Sequence, residues 1–114
     1  MDKLSNYRTL IIELLKQYIA MPSVSASDDE LEEQLILDRE HDHYQILAIG
    51  WQGAKRIYYP VFHLDIKNGK IWVQEDATDF DIVGELENRG VPKSDIVLAF
   101  HAPYRRPHTD YAAA

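Results

Sequence analysis

The chain has 114 residues, a formal net charge of −7, no cysteine and 46% apolar residues. That length suits one domain around one core, and the lack of cysteine excludes a disulfide framework, a thiolate nucleophile and a cysteine-built zinc site. The acidic balance argues against direct nucleic-acid contact, no apolar run reaches the roughly 20 residues needed to cross a bilayer, and Met1-Asp2-Lys3 does not open like a signal peptide, so the cytoplasm is the expected compartment.

Leu4, Tyr7, Ile11, Leu14, Leu15 and Tyr18 recur at spacings of three and four, which predicts a helix over residues 2–20 with Asp2 as its cap and Pro22 as its stop. Residues 23–33 are rich in Ser, Asp and Glu and read as a mobile acidic loop. The period then changes to two, giving strands over 34–39 and 44–51 joined by the polar turn Glu40-His41-Asp42-His43. A third strand covers 56–66, with Pro60 marking a sheet edge or a bulge. Asn68-Gly69 supplies the two positive-φ positions of a type I′ hairpin turn into a fourth strand over 71–75.

Thr78 and Asp81 form a variant capping box ahead of a short helix with Ile82, Val83 and Leu86 on one face, closed by Gly90. The wholly apolar run 96–100 predicts a strand buried on both faces and central in the sheet. The tail 101–114 shows no period. The expected fold is a single α+β domain over residues 1–114. It has an N-terminal helix, a mainly antiparallel sheet of about five strands, and a second helix before the last strand, with both helices on one sheet face.

The motifs Gly50-Trp51-Gln52-Gly53, His63-Leu64-Asp65-Ile66, Gly69-Lys70-Ile71-Trp72-Val73-Gln74 and Gly90-Val91-Pro92-Lys93-Ser94-Asp95, the last running on through Phe100 and His101, occur in this order along the chain. With the flanking Asp42-His43-Tyr44-Gln45 and Thr109-Asp110-Tyr111-Ala112, they make the sequence resemble the XisI family, controlling factors for excision of the fdxN DNA element, over almost its whole length. The resemblance implies an accessory protein, known mainly from cyanobacteria, that acts with a companion called XisH and a site-specific recombinase to remove a DNA element during heterocyst development. The companion is similar to nuclease-fold proteins. The family supplies no catalytic residue to carry over. Tyr59-Pro60 departs from the smaller residues of the family pattern at that point.

No catalytic set, cofactor site or metal site is assigned from the sequence. His63 and Asp65 lie two apart on a strand and share a face, where a carboxylate can orient an imidazole; a structural hydrogen bond is the plainer reading. His41 and His43 flank Asp42 in a turn and would bind a metal only with ligands from elsewhere, so they read as a solvated turn. His101, Tyr104, Arg105 and Arg106 form the one locally basic segment, suited to gripping a carboxylate, a phosphate or a partner's acidic face. Trp51 and Trp72, with Tyr58 and Tyr59, could form an exposed aromatic patch, although core packing is expected of at least one tryptophan. The acidic run Asp28-Asp29-Glu30 with Glu32 and Glu33 could mimic a nucleic-acid backbone, but such runs are usually solvated.

The leading expectation is a non-enzymatic factor that binds a XisH-like partner, with inhibition of that partner as a sharper version and with Trp51, His63, Asp65, Trp72, His101, Tyr104, Arg105 and Arg106 as the candidate contact residues. The competing class is an enzyme or small-ligand binder that gathers His63, Asp65, His101 and Arg106 in one pocket. An exposed edge strand makes a homo-oligomer plausible.

Overall fold

A computed structural model of the chain describes residues 2–21 and 30–114. Helix α1 (Lys3–Ala20) starts where expected, because the Asp2 carboxylate accepts a hydrogen bond from the Ser5 amide at 2.7 Å. Its apolar stripe buries Tyr7, Leu10, Ile11, Ile12, Leu14 and Leu15, with Leu4 and Tyr18 at the margin. A fully buried Leu or Ile contributes about 1.5–3 kcal/mol, so α1 is held by tertiary packing more than by its own propensity.

The strands are β1 (Glu30–Asp38), β2 (His43–Gln52), β3 (Lys55–Lys67), β4 (Lys70–Asp76) and β5 (Ile96–Leu98), and helix α2 (Ile82–Asn88) joins the last two. They lie in the order β1-β2-β3-β4-β5; all neighbours are antiparallel except β4 and β5. The two helices and the residues Tyr44, Ile46, Phe62, Leu64, Ile71, Val73 and Ile96 form a single apolar cluster, so both helices cover the same sheet face. At its margin Tyr18 meets the buried Phe62 edge-on at 5.0 Å between ring centroids, and Phe80 completes an aromatic triangle.

The turns follow their residues. Asn68 and Gly69 take φ of 54° and 76°, as a type I′ hairpin requires. Pro60 sits at a bulge: β3 inserts Val61 between the pairs Ile46–Phe62 and Leu47–Pro60. Helix α2 ends with the Gly90 amide on the Glu87 carbonyl and the Val91 amide on the Leu86 carbonyl, with Gly90 at φ 99°, a Schellman closure whose Val91 is buried.

Three expectations need correction. The stretch Glu30 to Glu33, read as part of a loop, belongs to β1; backbone pairing with β2 fixes it and leaves its acidic side chains in water. Residues 23–29, with Asp28 and Asp29, lie outside the described residues, as does Pro22. The last strand is not central but sits at the edge beyond β4 and has only three residues. Its apolar character has another cause: Ile96 enters the helix-side core, while Val97 is also buried and bridges to the C-terminal segment, whose Ala112 amide bonds the Ile96 carbonyl at 2.9 Å. Finally, Asp81 alone caps α2 by accepting from the Gly84 amide, and Thr78 instead accepts from Phe80.

The β1–β2 turn is tied to α1. Asp42, at φ 59°, accepts both Arg8 nitrogens, at 2.7 and 3.1 Å, and the hydroxyl of buried Tyr44 at 2.7 Å. Hydrogen bonds from Arg8 and Tyr44 outweigh partial burial and hold the Asp42 carboxyl below its ordinary value. A depressed folded value means stability that is present above the unfolded carboxylate pKa and is lost as the pH falls through the folded one. Asp42→Asn, which tolerates the positive φ, is expected to cost about 1–2 kcal/mol at pH 7 in urea unfolding, with the difference from the parent shrinking below pH ~4.

At Gly50 the backbone of β1 passes close over β2. The Gly50 φ is 149°, and a Cβ there would stand 1.8 Å from the Glu30 carbonyl oxygen. Gly50→Ala is expected to lose about 1–3 kcal/mol, and amide exchange should show the Glu30 end of β1 opening first.

Candidate functional site

The sheet face opposite the helices is divided into three zones. Along β2, His43, Gln45, Leu47, Ile49 and Trp51 alternate with the core residues Tyr44, Ile46 and Ala48 and so point away from the helices. Ladder partners share a face, so the zone towards the β2–β3 turn gathers Leu47 with Pro60, Ile49 with Tyr58, and Trp51 with Arg56. Trp51 is 47% exposed and Tyr58 64%, and Ile36 on β1 extends the same apolar surface. The Arg56 guanidinium lies 5.5 Å from the Trp51 ring and 5.9 Å from Tyr58.

The middle zone is polar. Asp65 Oδ1 accepts from His43 Nδ1 at 2.7 Å and from His63 Nε2 at 2.9 Å, while its Oδ2 accepts from Gln74 Nε2 at 3.1 Å. Partial burial pushes the Asp65 carboxyl up, but the bonds from His43, His63 and Gln74 prevail and lower it. The bond to Asp65 raises the His43 imidazole in turn.

The third zone is closed by the C-terminal segment. Trp72, the cross-strand partner of Asp65, is only 8% exposed, and its indole N–H donates to the Lys67 carbonyl at 3.1 Å. Lys67 Nζ lies 4.1 Å from the Trp72 ring and the Arg106 guanidinium 5.5 Å from it. Arg106 donates to the carbonyls of His101 at 3.0 Å and Ala99 at 3.2 Å, so its fork folds the segment over Trp72. Outside this layer His101, Tyr104, Arg105, His108 and Thr109 line a cleft of about 340 Å³. Among the described residues the Arg105 side chain makes no hydrogen bond or ion pair, and Tyr104 is 77% exposed.

The predicted residues therefore separate. His63 and Asp65 meet as expected and gain His43 and Gln74, which the sequence did not connect with them. Trp51 is exposed and Trp72 buried, while Tyr59 pairs with Ala48 on the helix side, away from Tyr58. His101, Tyr104 and Arg105 face the C-terminal cleft, whereas Arg106 turns inward. Among the described residues no hydrogen bond or ion pair joins His101 or Arg106 to His63 or Asp65. No helix among them is long and apolar enough to cross a membrane.

These features define an α+β domain with a one-sided helical layer and a second sheet face that is partly open. The family model described as XisI protein matches residues 1–113, and the chain belongs to the XisI family. It is similar to the crystal structure of a XisI-like protein from Anabaena variabilis ATCC 29413, with 50% identity and a TM-score of 0.88, covering 97% of this chain and 99% of that one. It is also similar to the fdxN element excision controlling factor XisI from Anabaena variabilis ATCC 29413, with 41% identity and a TM-score of 0.87, covering 99% and 100%. No curated protein matches the chain.

Two neighbouring arginines separate structure from surface. Arg106→Lys keeps the charge but loses the planar fork; it is expected to cost about 1–2 kcal/mol and to quicken proteolysis of the C-terminal segment. Arg105→Ala is expected to leave stability within about 0.5 kcal/mol in the same denaturation assay.

Proposed function

We propose that this chain is a non-enzymatic accessory factor in excision of a DNA element, acting by binding a XisH-like, nuclease-fold partner that works with a site-specific recombinase. The observation that carries this reading is the uncovered apolar zone formed by Ile36, Leu47, Ile49, Trp51 and Tyr58 on a sheet face whose middle zone is hydrogen-bonded internally and whose third is covered by the C-terminal segment. Large aromatics beside an arginine are the residue types that dominate protein interfaces, and here Arg56 lies against both rings. The net charge of −7 favours a partner with a basic surface over direct contact with DNA. The name of the Anabaena relative, an excision controlling factor, points the same way. In the sharper form, docking blocks the partner's nuclease activity.

Co-expression with a tagged XisH-type protein from the same source, followed by size-exclusion chromatography, is expected to give one co-eluting complex. Trp51→Ala combined with Tyr58→Ala, both on the surface, should weaken that complex at least about 10-fold while leaving the unfolding midpoint unchanged. Separate elution of the parent proteins would sink the proposal. Equal DNA cleavage by the partner with and without this chain would remove the inhibitory form alone. The mass of the free chain on the same column tells whether the β1 edge pairs with a second copy.

A further inference from the structure

We propose that His43, His63 and Asp65 form a binding site for a divalent first-row transition metal, of which zinc is the probe of choice. One donor atom from each of His43, His63 and Asp65 lies within 4.8 Å of the other two, and His43 Nδ1 and His63 Nε2 stand 2.7 and 2.9 Å from Asp65 Oδ1. Donors about 2.0–2.1 Å from a common zinc ion stand roughly 3 Å apart, so three side chains from two adjacent strands already approach a coordination triangle. Two imidazoles and one carboxylate are a donor set that suits zinc, iron, cobalt or nickel and does not suit magnesium or calcium, which take oxygen ligands.

Two further observations single out this cluster from ordinary surface pairs. Asp65 is largely buried, with its side chain 13% exposed, and its second oxygen is fixed by the Gln74 amide, as outer-shell partners fix metal carboxylates. His63 lies between two bulges: β3 inserts Val61 on the β2 side, and β4 inserts Gln74 between the pairs His63–Glu75 and Leu64–Val73. The first brings His43 opposite Asp65, and Gln74, the residue inserted at the second, donates its side-chain amide to Asp65. In the metal-free arrangement each imidazole donates a ring N–H to Asp65 Oδ1. Loading moves that proton to the other ring nitrogen and turns the freed lone pair to the ion. His43 has room for this, because its side chain is 53% exposed. Three protein ligands leave at least one coordination position for water, on the solvent side of the sheet.

The test is titration of the metal-stripped, full-length chain with zinc against a chromophoric chelator, with cobalt substitution as an optical readout. One ion per chain is expected, with intense visible cobalt bands that report low coordination number. His43→Ala, His63→Ala and Asp65→Asn should each weaken zinc binding by at least about 100-fold, and Gln74→Ala, a positioning change, by about 10-fold. His41→Ala and His108→Ala should leave it unchanged. Circular dichroism confirms folding of each variant, and exposed His43 keeps the test open should Asp65→Asn fail to fold. Absence of saturable binding would overturn the site and leave a hydrogen-bonded triad, and so would binding that survives His43→Ala.

Discussion

A sheet with helices on one side only must settle its other side by different means, and that constraint organises the molecule. On the helix side the solution is dry packing, with Leu14, Leu15, Ile46, Phe62 and Leu64 excluded from water together. On the far side the chain uses three means in succession across five strands. At β4 and β5 the C-terminal segment folds back and Arg106 holds it down through two carbonyls. At the centre a carboxylate takes three hydrogen bonds from His43, His63 and Gln74. Near the β2–β3 turn the aromatic side chains stay in water. The three zones make a gradient from sealed to open along one surface, and the open end is where a partner is best placed to complete the burial.

Much of this was legible in the residues. The heptad-like spacing from Leu4 to Tyr18, the Asn68-Gly69 turn and the Gly90 stop each depend on local chemistry, and each element formed where that chemistry put it. Long-range pairing was less legible. The run from Ile96 showed that a strand was buried on both sides, but not what buried it, because a covering segment without periodicity leaves no pattern to read. The residues from Glu30 to Glu33 misled in the opposite sense: their composition speaks of solvent, yet their backbone is fixed by β2.

The polar cluster shows most clearly why a site can be hidden from sequence. Counted back from the Gln52–Lys55 end of the hairpin in an unbroken ladder, His43 would fall opposite Leu64, Tyr44 opposite His63 and Asp42 opposite Asp65. The extra residue Val61 corrects the register by one, which moves every later side chain of β3 to the other face relative to β2. Pro60 announced that a bulge was near, but its size and direction are properties of the assembled sheet. Arg106 was equally ambiguous: its chemistry suits a partner's carboxylate and a backbone carbonyl alike, and the nearby Ala99 and His101 carbonyls decide between them.

The unlike surroundings of the two tryptophans give the protein a built-in pair of optical reporters. Trp51 is open to water and to small aqueous quenchers, whereas Trp72 is enclosed beside Lys67 and Arg106, with its indole hydrogen committed to a carbonyl. Emission from the first follows events on the open end of the sheet, and emission from the second follows release of the C-terminal segment. A spectral change therefore carries its own address, because a blue shift with quencher protection belongs to one end of the molecule and a red shift with quencher access to the other.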